Sequence, residues 1–359
     1  MTLQKTRKGR LRQQFLGNWT VPEPLRIRDV VALRHHLQTA IEIEHATIPA
    51  YLTALYSIRD GTNQASVNIL RSVVMEEMLH LILAANVLNA IGGSPSVNGP
   101  RFIPSYPTPL PHSNDAFLVH LAPFSADTMA TFVRIEQPTP AGTDPEFRGY
   151  ATIGQFYAAV KESLVALSAE ADIFTGDPSR QVTPEHYYGG GGEIVVVTGS
   201  RDEALTAALA AIDEILGQGE GLGDSMYDGD PGFGHEIELA HYYRFNQILA
   251  QKYYQPGDDP SKPTGADLAV DYTAVFPMRT DLKVADLPAG SEVRQRAVEF
   301  NVAYSTLLDG IHDALNGRPD RLLATIPRMY DLRYRATALM QMPLGANETA
   351  APTFEYVER

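Results

Sequence analysis

The sequence predicts a mainly α-helical protein: a four-helix bundle with long crossover loops, minor β structure and extra C-terminal helices. Two observations predict this class. Apolar residues recur every three or four positions over several long segments, as on amphipathic helices. A Glu-x-x-His pattern occurs on two of these segments, at Glu77–His80 and Glu238–His241. Since helical residues three apart share a face, each Glu and His can bind one metal ion together.

The first bundle helix is predicted over about 29–58. Asp29 is a typical N-cap residue, and the apolar stripe that follows it contains one carboxylate, Glu44. Pro49 lies inside the helix, where it removes one backbone hydrogen bond and predicts a kink.

The second bundle helix is predicted over about 66–91. Its apolar stripe contains Glu77 and His80, and the pair Gly92-Gly93 ends it. The short turn before this helix predicts that it lies antiparallel to the first.

The middle of the chain predicts long connections between short helices. Residues 94–115 are rich in proline and indicate an ordered crossover without regular structure. Helices are predicted over about 125–137 and 152–170. Residues 175–200 indicate an irregular excursion with a short strand at 194–198.

Two further helices, about 202–220 and 235–254, are predicted to complete the bundle core. Residues 255–290 are rich in proline and aspartate and are expected to lie on the surface. Two more helices are predicted within 291–341. Together, residues 25–357 are interpreted as a single elaborated domain.

The composition restricts the available chemistry. The 359 residues carry a formal net charge of −14, which argues against a nucleic-acid partner. Cysteine is absent, so a metal must be held by His, carboxylate and water. Residues 1–24 are interpreted as a basic tail. The apolar stretch that a signal peptide needs does not follow its basic residues. We expect a soluble cytoplasmic protein without a membrane segment.

The carboxylates on apolar stripes predict a metal centre. A buried carboxylate costs several kcal/mol unless it is paired or bound to a metal. Carboxylate and imidazole together suit iron, manganese or zinc. We predict two divalent metal ions, iron with manganese or a single ion as alternatives, and dioxygen as co-substrate. The predicted ligands are Glu44, Glu77, His80, Glu220, Glu238 and His241.

Other polar residues have weaker predicted roles. Glu136 lies on the stripe of its short helix and is interpreted either as a residue that supports a ligand from behind or as an alternate ligand. The residues that project away from their stripes, and are not expected to be ligands, are His45, Glu162, Glu214 and His235. The candidates for contact with a substrate, through a hydroxyl or a positive charge, are Tyr51, Tyr157, Tyr242, Arg134 and Arg244.

Several segments also resemble a known family. Residues 43–52 read IEHATIPAYL, residues 76–80 read EEMLH, and residues 86–93 read NVLNAIGG. These segments, with supporting ones such as AHYYRF at 240–245, resemble the ferritin-like domain of the iminophenyl-pyruvate dimer synthase family. The resemblance spans most of residues 25–357.

The resemblance implies a ferritin-like bundle with a metal site. Named members of the family are longer chains that couple two oxidised, amino-acid-derived imines in natural-product biosynthesis. The expected function is therefore a metal-dependent, di-iron oxidase or oxygenase acting on a small amino-acid-derived substrate. The chain is expected to form a homo-oligomer or to work beside a pathway enzyme. The alternatives are ferritin-like iron oxidation and storage, or a non-catalytic carrier of a pathway intermediate.

Overall fold

The structure is a computed structural model with eight α-helices in its described residues. Those residues are 21, 23–110, 118–138, 150, 152–187, 193–220, 226 and 239–358, with only the backbone of 24 and 220. The helices are α1 (Val30–Ser57), α2 (Gln64–Ala90), α3 (Ala126–Ile135), α4 (Ile153–Glu170), α5 (Arg201–Glu220), α6 (His241–Ala250), α7 (Glu292–Leu315) and α8 (Ile326–Met340).

Four helices pack into a closed ring around the main core. Helix α1 packs against α2 and α4, and α5 packs against the other faces of α2 and α4. The α1–α2 pair is antiparallel, because Arg34 near the start of α1 donates to the carbonyl of Ile91 after the end of α2, 2.8 Å away. The predicted four-helix bundle is confirmed.

The prediction that the 235–254 segment supplies the fourth bundle helix is wrong. Helix α4 occupies that place, while α6 is short and packs mainly against α3. Ala240 has an extended conformation (φ −61°, ψ 160°), so α6 begins only at His241. It ends at Ala250 because Gln251 adopts a left-handed conformation with φ +56°. Residues 231–238 lie outside the described residues.

Local capping explains where several helices begin. A side-chain oxygen of the N-cap residue accepts a hydrogen bond from the backbone N–H three residues later, which satisfies a donor that the helix itself leaves unpaired. Helix α1 continues through Pro49 without a break, and Gly92, with φ +74°, follows the end of α2. The capping residues are Asp29, Ser125, Thr152 and Ser291.

The two central helices are buried on most of their faces. Residues 43–51 of α1 are all buried: the helix packs against α2 and α4, and His45 lies against Phe102 and Tyr304. More of α1 is therefore buried than a single apolar stripe predicts. His45 was predicted to project away from the stripe, but it is only 2% exposed. Helix α2 is long and apolar enough to cross a membrane, but 89% of its most apolar window is buried inside the protein.

The predicted strand at 194–198 is absent, and the described residues contain only isolated β-bridges. Buried side chains, instead of a neighbouring strand, make hydrogen bonds to the backbone of this segment. Asn86 donates to the carbonyls of Val182 and Val195, at 2.8 and 3.0 Å. Gln181 exchanges two hydrogen bonds with the backbone of Val197, each of 2.8 Å.

The C-terminal helices pack on the outside of the bundle. Helices α7 and α8 contact each other, and they also contact α2 and α1 respectively. The predicted helix over 319–341 is interrupted at its start: Pro319–Arg321 and Leu323–Thr325 form 3₁₀ turns before α8 begins. Pro319 begins the first turn and Pro327 is the second residue of α8, and proline limits continuous α-helical hydrogen bonding at both places.

We expect Asn86→Ala to lower the free energy of unfolding by about 3 kcal/mol, because it leaves several buried backbone groups without partners. Asn68 lies on the exposed face of the same helix and bonds only an exposed side chain among the contacts described. Asn68→Ala is therefore the matched control and should change stability by less than about 0.5 kcal/mol. Urea unfolding followed by circular dichroism measures both, and equal losses would contradict the role of Asn86.

Candidate metal centre

Five buried side chains from four helical segments meet inside the protein. Glu44 comes from the middle of α1, and Glu77 and His80 come from α2. Glu136 is the C-cap of α3, and His241 is the first residue of α6. Each is 7% exposed or less, so three carboxylates share an interior that excludes water.

The first group of potential ligands contains Glu44, Glu77 and His80. One ligand atom from each lies within 4.8 Å of the others. The Nδ1 atom of His80 lies 3.4 Å from Oε2 of Glu44. This group joins α1 to α2 through their antiparallel packing, and it contains three of the predicted ligands.

The second group contains Glu77, Glu136 and His241, again within 4.8 Å of one another. The Nδ1 atom of His241 lies 3.0 Å from Oε1 of Glu77 and 3.6 Å from Oε2 of Glu136. The rings of His80 and His241 stack with centroids 5.4 Å apart. Because Glu77 belongs to both groups, the arrangement suits two neighbouring cations that share one carboxylate.

The outer nitrogen of each imidazole is held by a buried hydrogen bond. Nε2 of His241 lies 2.9 Å from Oε2 of Glu76, and Nε2 of His80 lies 2.8 Å from Oε1 of Gln218. Arg244 donates to the other oxygen of Glu76 at 2.6 Å. These contacts turn both Nδ1 atoms towards the carboxylates, as in metal sites where a second residue orients the histidine ligand.

The carboxylates perturb one another strongly because they are buried. Burial and the charge of Glu136 raise the pKa of Glu77 well above its ordinary value. Burial opposes ionisation of Glu44 as well, but His80 and Tyr157 outweigh it and lower the pKa of Glu44. Burial would lower the pKa of His241, yet the surrounding carboxylates raise it well above the ordinary value.

The residues fit a metal ion. Nδ1 of His241 is fully buried and has no hydrogen-bond partner, although it points at two carboxylates. A buried nitrogen without a partner costs free energy, whereas coordination of a cation satisfies it together with the carboxylates. Imidazole and carboxylate without thiolate are the donors that iron and manganese use.

Two buried tyrosines hold the outer carboxylates. Tyr51 donates to Oε1 of Glu136 at 2.5 Å, and Tyr157 donates to Oε1 of Glu44. Burial, helped by the charges of these carboxylates, raises the pKa of both phenols far above the ordinary value, so both remain protonated donors. The structure shows them as partners of the carboxylates, and their predicted contact with a substrate stays a prediction.

The second Glu-x-x-His is described only in part. Ala240 is extended and His241 is the first residue of α6, while Glu238 lies outside the described residues. The side chain of Glu220 is likewise not described. Its neighbour Gly219 lies close to the site, since a Cβ there would be 3.9 Å from Oε2 of Glu136. The roles of Glu220 and Glu238 stay predictions.

The other predicted residues lie at varied distances from the centre. Glu136, predicted to support a ligand or to be an alternate ligand, is part of the second group. Arg244 is buried against Glu76, whereas Arg134 is exposed on α3. Tyr242 is half-buried beside a small separate cluster that includes Tyr243.

Sequence patterns missed the residues that hold the imidazoles. Glu76 was not among the predicted site residues. It lies off the apolar stripe of α2, but that helix is buried on both sides. Two successive glutamates inside an apolar helix were the available signal. Gln218 gave no signal, because its contact with His80 joins residues 138 positions apart. Glu214, predicted to be solvated, is half-buried and accepts from Gln218 at 3.3 Å.

His45 is in neither ligand group, although it directly follows Glu44. Its Nε2 lies 2.6 Å from the hydroxyl of Tyr304 on α7, and its ring packs against Phe102 at 4.3 Å between centroids. The side chain therefore links the bundle to the C-terminal helices. His235 lies outside the described residues.

Comparison with known proteins agrees with this fold. A family model described as ferritin-like matches residues 37–250, which is more than half of the chain. The chain belongs to the ferritin-like family. A ferritin-like protein from Caulobacter vibrioides has the same fold: the TM-score is 0.65 at 24% identity, over 91% of this chain and 100% of that one.

Two curated relatives bear out the resemblance to the dimer synthases. One is 2-imino-3-(indol-3-yl)propanoate dimerase from Chromobacterium violaceum, 25% identical over 92% of this chain. The other is dichlorochromopyrrolate synthase from Lentzea aerocolonigenes, 26% identical over 81% of this chain. The chain spans about a third of the length of these relatives, 34% and 30% respectively.

We expect Glu77→Ala to abolish binding of both metal ions, because Glu77 is the carboxylate that the two groups share. Glu44→Ala and Glu136→Ala should each remove one ion. Metal content after anaerobic loading and desalting measures this, with circular dichroism to verify the helices. Glu162→Gln, in an exposed ion pair with Arg26, is the control and should keep the full content. Full metal content in Glu77→Ala would contradict the assignment.

The metal-free protein is expected to lose stability as the pH rises above 4.5, the ordinary pKa of Glu. The folded-state pKa values of Glu77 and His241 are raised, so their contribution is present at lower pH and is lost as the pH rises through those values. Glu77→Gln, neutral at every pH, should flatten this decline. Calorimetric melting temperatures of both proteins, measured across this pH range with a chelator present, test the prediction. Equal declines in the wild type and in Glu77→Gln would refute it.

Proposed function

We propose that this chain is a metal-dependent oxidoreductase of natural-product biosynthesis, located in the cytoplasm, that holds two iron ions and oxidises a small amino-acid-derived imine. One observation carries the proposal: two buried groups of carboxylate and imidazole ligands share Glu77. A single structural ion does not require two such groups, and a surface acidic patch would not be buried.

The donor set suits redox-active metals. Glu44, Glu77 and His80 would hold one ion, and Glu77, Glu136 and His241 the other. Bound iron would supply electron transfer to dioxygen. Oxygen and nitrogen donors without thiolate suit iron or manganese.

The protein's own residues keep this chemistry ordered. Tyr157 and Tyr51 hold the outer carboxylates through their hydroxyl groups, while Glu76 and Gln218 orient the imidazoles. The low exposure of all five candidate ligands excludes bulk water from the centre. Pre-ordering ligands in a dry site strengthens their electrostatic effect on a bound cation or substrate.

The names of the relatives support the substrate class. One names a dimerase of an imine of indolyl propanoate, and the other a synthase of a dichlorinated chromopyrrolate. For this chain we propose an α-imino acid as substrate and oxidative joining of two such imines as the reaction. A partner enzyme that oxidises an amino acid would supply the imine.

The proposal predicts dioxygen uptake that depends on both the metal and the imine. Iron-loaded protein is mixed with an α-imino acid that an amino-acid oxidase generates, with catalase present, and uptake beyond the oxidase's own is measured with an oxygen electrode. Glu77→Ala should abolish the extra uptake, while Glu162→Gln should retain it. Mass spectrometry of the products detects a dimer.

Two outcomes would favour other functions. Metal below one equivalent after iron-supplemented growth would favour a carrier of a labile intermediate. A large hollow oligomer in size-exclusion chromatography, with many iron atoms per chain, would favour storage. No extra uptake with any imine tested, despite two bound irons, would overturn the proposed substrate class.

A further inference from the structure

The two ligand groups contain the same kinds of residue, as far as their ligands are described. Each contains one imidazole, through Nδ1, and each uses the shared carboxylate of Glu77. Each also contains one further carboxylate that accepts a hydrogen bond from a buried tyrosine: Glu44 from Tyr157, and Glu136 from Tyr51. Among the described residues, the two positions therefore differ in the groups behind the imidazoles.

The residue behind His241 is a buried carboxylate. Glu76 accepts from Nε2 of His241 at 2.9 Å and is only 3% exposed. Arg244 fixes the same carboxylate by donating to its other oxygen at 2.6 Å, and it also bonds Ser72 at 3.1 Å. A hydrogen bond to an ionised acceptor is roughly twice as strong as a neutral one. A carboxylate behind a histidine increases the electron donation of its other nitrogen to a metal.

The residue behind His80 is a neutral amide. Oε1 of Gln218 lies 2.8 Å from Nε2 of His80, and Nε2 of Gln218 donates to Oε1 of Glu214 at 3.3 Å. Since the Glu214 carboxylate accepts only, it directs the amide nitrogen to itself and the amide oxygen to His80. His80 then carries its proton on Nε2, which leaves Nδ1 as the ligand atom beside Glu44. The orientation of the His80 ring is therefore defined. Among the contacts described, however, no ionised group lies against its Nε2 atom.

From this difference we infer that the two metal positions are unequal: the position at His241 fills first and more tightly, and the position at His80 fills second. The inference rests on the proposed two-ion centre. Glu76 and Gln218 are positioning residues that set the order of filling. The His80 position is then the one from which an ion is lost and replaced more readily.

An anaerobic titration of the metal-free protein with Co²⁺, followed by visible absorption, tests the order. The wild-type protein should bind Co²⁺ in two steps whose dissociation constants differ by about tenfold or more. Glu136→Ala should remove the tighter step, and Glu44→Ala the weaker one, which assigns each step to its position.

Two variants test the positioning residues. Glu76→Gln should weaken the tighter step by about 10- to 100-fold and leave the other nearly unchanged. The exchange Glu214→Gln with Gln218→Glu keeps the net charge but brings a carboxylate against His80, and it should strengthen the weaker step. Because Glu76→Gln leaves Arg244 buried beside a neutral partner, the double variant Glu76→Gln/Arg244→Gln serves as a second form. Glu162→Gln is the charge-matched control and should bind as the wild type does.

The outcomes separate this inference from the proposed function. Two steps of equal affinity, or equal weakening of both steps by Glu76→Gln and by the double variant, would overturn the inequality while leaving a two-ion centre intact. Absence of Co²⁺ binding to the wild-type protein would contradict the two-ion centre itself.

Discussion

The central constraint in this protein is the burial of three carboxylates in one interior space. Glu44, Glu77 and Glu136 are each 7% exposed or less, so water cannot screen their charges. Two like charges about 4 Å apart repel by about 4 kcal/mol at an effective dielectric constant of 20. Protonation or bound cations must offset this repulsion. The raised pKa of Glu77, which burial and the charge of Glu136 cause, is the response of the metal-free protein.

The fold surrounds these carboxylates first with the histidines and then with residues that hydrogen-bond to the ligands. The antiparallel α1–α2 pair brings Glu44 against His80, and the α3–α6 pair adds Glu136 and His241 beside the same Glu77. Around them lies a second set of hydrogen-bonded groups that fixes each ligand. Most of these outer groups are themselves buried, which makes the geometry rigid because each side chain has a specific partner.

Membership of the ferritin-like family accounts for the bundle, but the chemistry depends on particular residues. Here one histidine is backed by an ionised glutamate and the other by an amide, on otherwise matching inner donors. Differences of this kind tune a shared fold towards different reactions. The additional helices α7 and α8 cover the outside of α1 and α2, and His45 connects to them through Tyr304.

The sequence by itself determined the elements that depend on local signals. Asp29 marked the start of α1, and the Gly92-Gly93 pair marked the end of α2. The three-residue spacing placed Glu77 and His80 on one helix face. These signals were readable because capping and helical periodicity act over a few residues. Only the tertiary structure decided that α4, rather than the 235–254 segment, completes the ring and that Glu76 and Gln218 orient the imidazoles. Those features depend on contacts between residues far apart in the chain, such as Gln218 with His80, and periodicity within one helix carries no information about them.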